Sequence, residues 1–445
     1  MQSGTQGVRP RRRHAAWLWL ALAAACGGAM ERPITATVRD SAGVEVVENT
    51  AALWRPGEEW QLTGEPILDI GSELGNPNYE FGYAHGPVRL RDGRIVVADM
   101  QTNVMRFYDA TGRYLSESGG SGEGPGEFEQ LYRLRKISDD TLMALNPSSL
   151  TSLFSADGRY VRRFQLSPVR GRGNLWWLGY LSDHTLLAVS LQRRGTRELA
   201  APAEEEEGVE HARFDVPERP DEYRDSLLHF LFTMEGELID SLGEWPGQWI
   251  GRERPFAPNA AYAFHGDAFY HSPGDHLEIR QYRSLAGRNR GVQPISESPP
   301  SLVRLERVIR RGAFGDPTVT ESVKEKYRDE RRAMYRQVAS RNPGMDMSWV
   351  ERQLAETKFP LTLPAHANRM YADALGHLWL QEYRVGTVDP FRWSVFDPNG
   401  FWLGVVETPA AFTVNEIGED YVLGIWQDSL DVQHVRMYGL SKNRR

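Results

Sequence analysis

The sequence contains almost no cysteine and no excess of positive charge. Its 445 residues include one cysteine, Cys26, and the formal net charge is −8. One thiol cannot form an intramolecular disulfide, and its place in the N-terminal signal region excludes thiol catalysis by the folded domain. The negative net charge offers no basic field to a phosphate backbone, so we expect no nucleic-acid partner.

Long hydrophobic runs and the short motifs of nucleotide or hydrolase chemistry are also missing. The apolar stretch from Ala15 to Ala25 is shorter than the roughly 20 residues that span a bilayer. No P-loop, HExxH or strand-to-helix GxSxG motif occurs. The glycine-rich run GGSGEGPGEF, Gly119 to Phe128, has no lysine and precedes strand-like residues. It therefore indicates a sharp turn rather than a phosphate-binding loop.

The N-terminus has the pattern of an export signal. Several arginines precede the apolar stretch, which ends at Cys26. The residues LAAAC, Leu22 to Cys26, resemble the lipobox of bacterial lipoproteins, although Ala23 stands where that motif usually has leucine. The resemblance implies a signal peptide at 1–26, lipidation of Cys26 and a location at the cell envelope, in the periplasm or at the outer membrane. Ordinary cleavage that leaves a soluble exported protein is the alternative.

A repeat runs through the rest of the chain, at a basic period of about 42 to 50 residues. An aromatic residue at the end of an apolar run is followed four residues later by glycine, in the segments YDATG, FSADG, FTMEG and FDPNG at Tyr108, Phe154, Phe232 and Phe396. Six apolar second strands recur: IVVAD, LMALN, LLAVS, AFYHS, LWLQE and YVLGI. Turn residues separate these runs, so each unit is predicted to be an antiparallel meander.

This pattern predicts an all-β fold, a six-bladed β-propeller at 60–445 preceded by a linker at 27–59. The last unit shows only three strands. The strand-like segment WQLTGEPILDIG, Trp60 to Gly71, is therefore predicted to pair with the last blade and close the ring.

One predicted blade resembles those of a known family. The segment PVRLRDGRIVVADMQTNVMRFYDATGRYLSESGGSGEGPGEF, Pro87 to Phe128, resembles NHL-type six-bladed propellers of the exported bacterial kind, and the other five blades match less well. The resemblance implies the fold. It implies little about function, because propellers include binding scaffolds and several classes of enzyme.

Two insertions interrupt the repeat on loops that share one face of the ring. The first lies at about 192–227 in blade 3. The second, at about 299–364 between blades 4 and 5, is predicted to be helical, with helix starts at Thr318 with Glu321 and at Ser348 with Glu351. Loops on one face of a repeat fold commonly carry the binding site, so this face is predicted to meet the ligand.

Candidate site residues follow from the ends of the second strands and the starts of the inner strands on this face. They are His85, Asp99, Asn146, Ser190, Ser272, His366 and Glu382. Asp99, Asn146 and Glu382 could supply oxygen ligands for Ca²⁺, an arrangement similar to that of six-bladed lactonase-type enzymes. His85 and His366 could face Zn²⁺, as in a propeller lyase that acts on peptidyl hydroxyglycine. Polar strand ends that simply reach solvent are the alternative.

The sequence thus favours an exported, membrane-anchored binding scaffold for a protein, peptide or glycan at the cell envelope, without assigned catalytic residues or cofactor. A metal-dependent hydrolase, lactonase or lyase, with its site at the mouth of the central channel and Ca²⁺ or Zn²⁺ as its cofactor, is the alternative function.

Overall fold

Antiparallel meanders make up most of the regular structure in the described residues. The computed structural model describes the following residues: 35–71, 75–137, 140–146, 150–170, 174–192, 226–247, 255–286, 302–312, 316–342, 344–386 and 390–442. Everything from Thr35 onward belongs to one compact unit. Cys26 and most of the 192–227 insertion lie outside the described residues.

Four short strands come before the first blade: β1 (Ala36–Ser41), β2 (Val44–Asn49), β3 (Gln61–Leu62) and β4 (Leu68–Ile70). Blade 1 contains β5 (Ala84–Arg89), β6 (Ile95–Asp99), β7 (Val104–Tyr108) and β8 (Tyr114–Gly119). Blade 2 contains β9 (Arg133–Lys136), β10 (Leu142–Leu145), β11 (Leu150–Phe154) and β12 (Tyr160–Gln165). Blade 3 contains β13 (Leu175–Tyr180), β14 (Thr185–Gln192), β15 (Ser226–Thr233) and β16 (Leu238–Pro246).

The second half of the ring contains three more blades and two helices. Blade 4 contains β17 (Ala261–His265), β18 (Ala268–Ser272), β19 (Glu278–Ser284) and β20 (Val303–Arg311). The helices α1 (Glu321–Arg341) and α2 (Met347–Glu356) follow. Blade 5 contains β21 (Met370–Ala372), β22 (Leu378–Gln381), β23 (Phe391–Phe396) and β24 (Trp402–Thr408). Blade 6 contains β25 (Phe412–Ile417), β26 (Tyr421–Gln427) and β27 (Gln433–Ser441). The predicted six-bladed β-propeller is confirmed.

Strands from the N-terminal part of the chain complete the last blade. The third strand of blade 6, β27, pairs antiparallel with β4, opposite Val435 to Met437, and with β3, opposite Leu440 and Ser441, so β3 and β4 take the outer position. Strands far apart in sequence are thereby joined, so the ring has no open seam at this point. The predicted role of Trp60 to Gly71 in closure is confirmed.

The segment at 27–59, expected as a linker, contributes structure of its own. Strands β1 and β2 form a hairpin, and β2 runs parallel to β20 with Val47 opposite Ile309. Blade 4 therefore has six strands. The Asn49 side chain donates hydrogen bonds to the backbone carbonyls of Arg310 and Gly400, which tie the hairpin to blades 4 and 5.

The core lies between neighbouring blades, because the second strand of each blade is covered on both faces. All five residues of β6, for example, are buried. Phe128 and Phe154 meet with ring centroids 5.7 Å apart in the apolar layer between blades 1 and 2. Burial on both sides explains why these strands read as nearly continuous apolar runs.

The glycine-rich run is the turn that links blades 1 and 2. Gly119 has φ of +108°, and a Cβ at that position would lie 2.9 Å from the Asn103 carbonyl oxygen and from the Phe128 ring. Only glycine meets both requirements without strain. The run returns the chain from the rim to the channel strand β9.

The helical insertion lies between blades 4 and 5 as predicted, with corrected bounds. The range 299–364 includes β20, the outer strand of blade 4, so the helical part starts only after Arg311. The caps also differ slightly, because Thr320 and Asp346 occupy the N-cap positions. Tyr327 of α1 packs against the buried Phe256, with ring centroids 5.5 Å apart. Among the described residues, no helix is long and apolar enough to cross a membrane.

Candidate functional site: a cavity in the central channel

A cavity of about 690 Å³ lies among the inner strands of blades 2 to 5. Its walls come from the inner strands β9, β13, β17 and β21 and from residues at the ends of β10 and β14. Trp176 and Tyr132 line it and are 43% and 45% exposed, so aromatic surface is accessible from outside. The volume falls within the range of about 300–1,000 Å³ typical of ligand pockets.

Three arginines are among the residues that line this cavity: Arg133, Arg135 and Arg369. In β9 the sequence RLRK alternates between the two faces of the strand. Leu134 points into the apolar layer between blades 1 and 2, where it is fully buried. Arg133 and Arg135 therefore point the other way, into the channel, while Arg369 directly precedes β21.

The charge of these arginines is not balanced within the cavity. The described residues that line it include no aspartate or glutamate. Burial and the neighbouring Arg133 guanidinium lower the pKa of Arg135 to about 10, an effect that Tyr371 and Glu416 only partly oppose. Arg135 remains positively charged at neutral pH, in surroundings that disfavour its charge.

Polar atoms with unused hydrogen-bonding capacity lie on the same walls. Arg133 Nε, Trp177 Nε1 and Asn146 Oδ1 are buried and have no hydrogen-bond partner among the described residues. Buried polar atoms are nearly always paired, so three such atoms around one cavity are unusual. All three atoms are shielded from solvent in this structure, so a ligand in the cavity would pair with them only after side chains of the cavity wall turn.

Tyr262 adds an oriented hydroxyl to the lining. His229 Nδ1 donates to the Leu227 carbonyl, 2.9 Å away, so its Nε2 accepts from the Tyr262 hydroxyl at 2.8 Å. Burial, followed by the neighbouring His271, lowers the pKa of His229 to about 3. The imidazole is therefore neutral at physiological pH and holds the tyrosine hydroxyl in one orientation.

His85 lies beside the cavity arginines. Its ring stacks on that of Tyr132, with ring centroids 6.4 Å apart, and its buried Nδ1 has no hydrogen-bond partner among the described residues. Burial is the main cause that lowers the pKa of His85 to about 4, and Arg135 and Arg133 lower it further. His85 is thus neutral at pH 7.

Asp99 is surrounded by donors. Its carboxylate accepts hydrogen bonds from the backbone N–H groups of Tyr83 and Gln101, both at 3.1 Å, and pairs with Arg106 at 3.1 Å. The Asp99 side chain is 1% exposed and that of Arg106 is 8% exposed. The contacts are those of a structural ion pair that anchors the loop before β5.

Glu382 has similar surroundings in blade 5. It accepts hydrogen bonds from Arg392 Nε at 3.0 Å and from Ser394 Oγ at 3.1 Å, and Arg311 Nη1 lies 3.7 Å away. Both oxygens thus already face donors. Asn146 is the one of the three proposed oxygen ligands that lines the cavity.

Ser272 and His366 are brought together, with His366 Nε2 at 2.9 Å from Ser272 Oγ. The backbone N–H of Asn368 donates to His366 Nδ1, so a neutral His366 carries its proton on Nε2 and donates to the serine. A general base would need an unprotonated nitrogen at the hydroxyl, so this arrangement does not activate Ser272. Ser190 is fully buried in β14, next to the cavity residue Val189.

The structure thus brings Asn146 into the cavity and His85 beside it, and it places the other candidate residues in the surrounding framework. No group of three or more His, Cys, Asp or Glu side chains suited to a metal ion occurs in the part of the chain that the structure describes. Metal binding by Asp99, Asn146 and Glu382 stays a prediction. The sequence reasoning missed the arginines, although the alternation RLRK in an inner strand was a usable signal.

Comparisons with known proteins extend only to the fold. No family model matches the chain, and no curated protein matches it. A candidate exported protein of Bacteroides fragilis aligns with 90% of this chain and 100% of its own, at 11% identity and a TM-score of 0.43. The calcium-binding protein regucalcin of Agrobacterium tumefaciens aligns with 82% of this chain and 93% of its own, at 12% identity and a TM-score of 0.36. Virginiamycin B lyase of Staphylococcus aureus aligns with 86% of this chain and 99% of its own, at 11% identity and a TM-score of 0.33. Similarity this distant carries no functional argument.

Proposed function

We propose that this protein is an exported binding protein that receives a peptide or glycan segment in its channel cavity. Three buried polar atoms without partners, on Arg133, Asn146 and Trp177, carry this proposal because all three lie on residues of one accessible cavity. Such groups are normally satisfied in a folded protein. A ligand with complementary donors and acceptors would satisfy them once side chains of the cavity wall turn to expose them.

The exposed aromatic rings at the cavity support the same proposal. Trp176 and Tyr132 offer flat apolar surface beside polar groups, a combination that suits both sugar rings and peptide side chains. Export, an NHL-type origin of the repeat and a lipid anchor at Cys26 belong to this proposal. They would place the cavity at the cell envelope, where such chains occur.

Metal-dependent hydrolysis has less support from the side chains that it would need. Asp99 and Glu382 are each held by an arginine and by further hydrogen-bond donors. A carboxylate in that state must give up its partners before it can bind a cation. We therefore give binding precedence over catalysis.

The test compares ligand binding by the full chain and two tryptophan variants. Panels of peptides and oligosaccharides are screened by thermal melting, because a ligand at a hundred times its Kd stabilises the folded state by about 2.7 kcal/mol. For each hit we expect Trp176→Ala to weaken binding several-fold, since it removes the stacking surface.

Trp349→Ala is the matched control, because Trp349 on α2 is similarly exposed, at 46%, and does not line the cavity. It should bind every hit as the parent does. Hits that depend on Trp349 and not on Trp176, or panels without any hit, would contradict the proposal.

A further inference from the structure

We infer that the channel cavity binds an oxyanion with two or more negative charges, a carboxylate or a phosphate, through Arg133, Arg135 and Arg369. This inference rests on the proposed function, since it names the ligand chemistry of the same cavity. It goes beyond that function because a peptide or glycan could equally be neutral.

The first argument is the charge balance. Three arginines line the cavity, and no aspartate or glutamate does among the described residues. Within the described part of the chain, Glu416 is the one carboxylate that raises the pKa of Arg135, and it is already occupied by Lys136 Nζ at 3.1 Å and by the Tyr421 hydroxyl. Proteins seldom place charges in such surroundings without a counterion, except where the charge serves a ligand.

The second argument is the supply of donors. Arg133 Nε and Trp177 Nε1 are buried N–H groups without acceptors among the described residues. Among the described residues, the Arg135 side chain makes one hydrogen bond, and it is long. Arg135 Nη1 lies 3.4 Å from the carbonyl oxygen of the adjacent Leu134. Guanidinium groups match the paired oxygens of carboxylates and phosphates, so these unused donors suit an oxyanion better than a neutral ligand.

The third argument concerns the number of charges. Arg133 is close enough to lower the pKa of Arg135, and both arginines lower that of His85. The cavity therefore has internal repulsion that one negative charge would only partly cancel. A ligand with two or more charges can contact several arginines at once and relieve more of this repulsion.

The experiment measures binding of two defined probes, citrate and pyrophosphate, to the full chain by calorimetry. Acetate and sodium chloride at the same ionic strength serve as probes of single charge. We expect citrate, pyrophosphate or both to bind more tightly than acetate or chloride. Binding of citrate alone identifies a carboxylate site, binding of pyrophosphate alone identifies a phosphate site, and binding of both identifies a general oxyanion site.

Three variants assign the site: Arg133→Met, Arg135→Met and Arg369→Met. Each should weaken the tighter probe about tenfold or more, because each removes charge-assisted hydrogen bonds. Arg163→Met is the matched control. Arg163 is exposed on β12, the outer strand of the blade that carries Arg133 and Arg135, and its Nη1 donates to the Glu123 carbonyl at 3.0 Å. This control should bind as the parent does, and the melting temperature of each variant verifies folding.

Two results would overturn the inference. In the first, the three cavity variants bind the tighter probe as strongly as the parent and Arg163→Met do. In the second, the parent binds citrate and pyrophosphate no more tightly than acetate. If either occurs while neutral ligands still bind in a manner that depends on Trp176, only the oxyanion inference fails. If neither Trp176→Ala nor the arginine variants change the affinity for any ligand, the proposed function fails together with the oxyanion inference.

Discussion

Arginines between the blades and arginines in the channel have opposite surroundings in this propeller. Arg106 is buried and pairs with Asp99, and Arg392 pairs with Glu382. Arg133 and Arg135 have no carboxylate within 4.0 Å among the described residues, although they too lie inside the protein. The same side chain therefore stabilises the framework at one place and leaves positive charge for a ligand at the other.

This difference shows why burial alone does not identify a site. Asp99 is almost fully buried and was a metal candidate by its position, yet its contacts already use its oxygens. The cavity residues Arg133 and Arg135 are less buried, but they have no carboxylate partner among the described residues. Partner occupancy, rather than depth, separates structural charges from those available for binding.

The largest effect should follow from breaking the buried pair. Asp99→Asn leaves Arg106 charged and buried without a carboxylate, and we expect the free energy of unfolding to fall by about 3–5 kcal/mol. Urea unfolding of the full chain measures this loss. The control is Asp157→Asn, which removes an exposed partner of Arg94 and should cost at most about 1 kcal/mol. Equal losses for the two variants would contradict the contrast between buried and surface pairs.

An intermediate effect should appear at acid pH through His85. The pKa of His85 is lowered from 6.5 to about 4 in the folded state, so between these values the unfolded chain binds a proton that the folded chain does not. The free energy of unfolding should therefore decrease as the pH falls from 6.5 to 4. His85→Gln should make this decrease shallower, as followed by urea unfolding at several pH values. Identical slopes for the variant and the parent would show that the pKa of His85 is not lowered in the folded protein.

The smallest effect is expected for a cavity arginine in the absence of ligand. Arg135→Met keeps much of the side-chain volume and removes a charge in unfavourable surroundings, so the free energy of unfolding should stay the same or rise by about 1 kcal/mol. The measurement is urea unfolding in a buffer without multivalent anions. A loss comparable to that of Asp99→Asn would mean that Arg135 has a structural partner and that the two groups of arginines do not differ.

Local sequence signals were sufficient to predict the positions of most strands. The second strands and the tight turns were recognisable because a strand buried on both faces needs apolar residues and a reversal needs glycine, as at Gly119. The outer strand β20 was placed inside the helical insertion instead. Its residues VRLERVIRR alternate between apolar and charged only up to Glu306, after which charged and apolar residues come in pairs, so no period of two marks the whole strand. A stretch without a clear pattern also separates it from β19.

Pairing between distant segments was predictable only where a strand was visibly missing. Blade 6 lacked its fourth strand, so the role of Trp60 to Gly71 could be inferred. The sequence of blade 4 did not indicate that β1 and β2 would join it, because this blade already has four strands of its own. The parallel pairing of β2 with β20 therefore emerged only in the structure.

The sequence by itself determined the number of blades, the closure of the ring and the face that bears the insertions, because these follow from the local pattern of strands and turns. It also determined that Arg133 and Arg135 share one face of a strand. Only the tertiary structure decided that this face borders a cavity, since the ring brings together strands from four blades. Whether an arginine meets a carboxylate there depends on residues far apart in the chain, and ring closure sets which of them face each other.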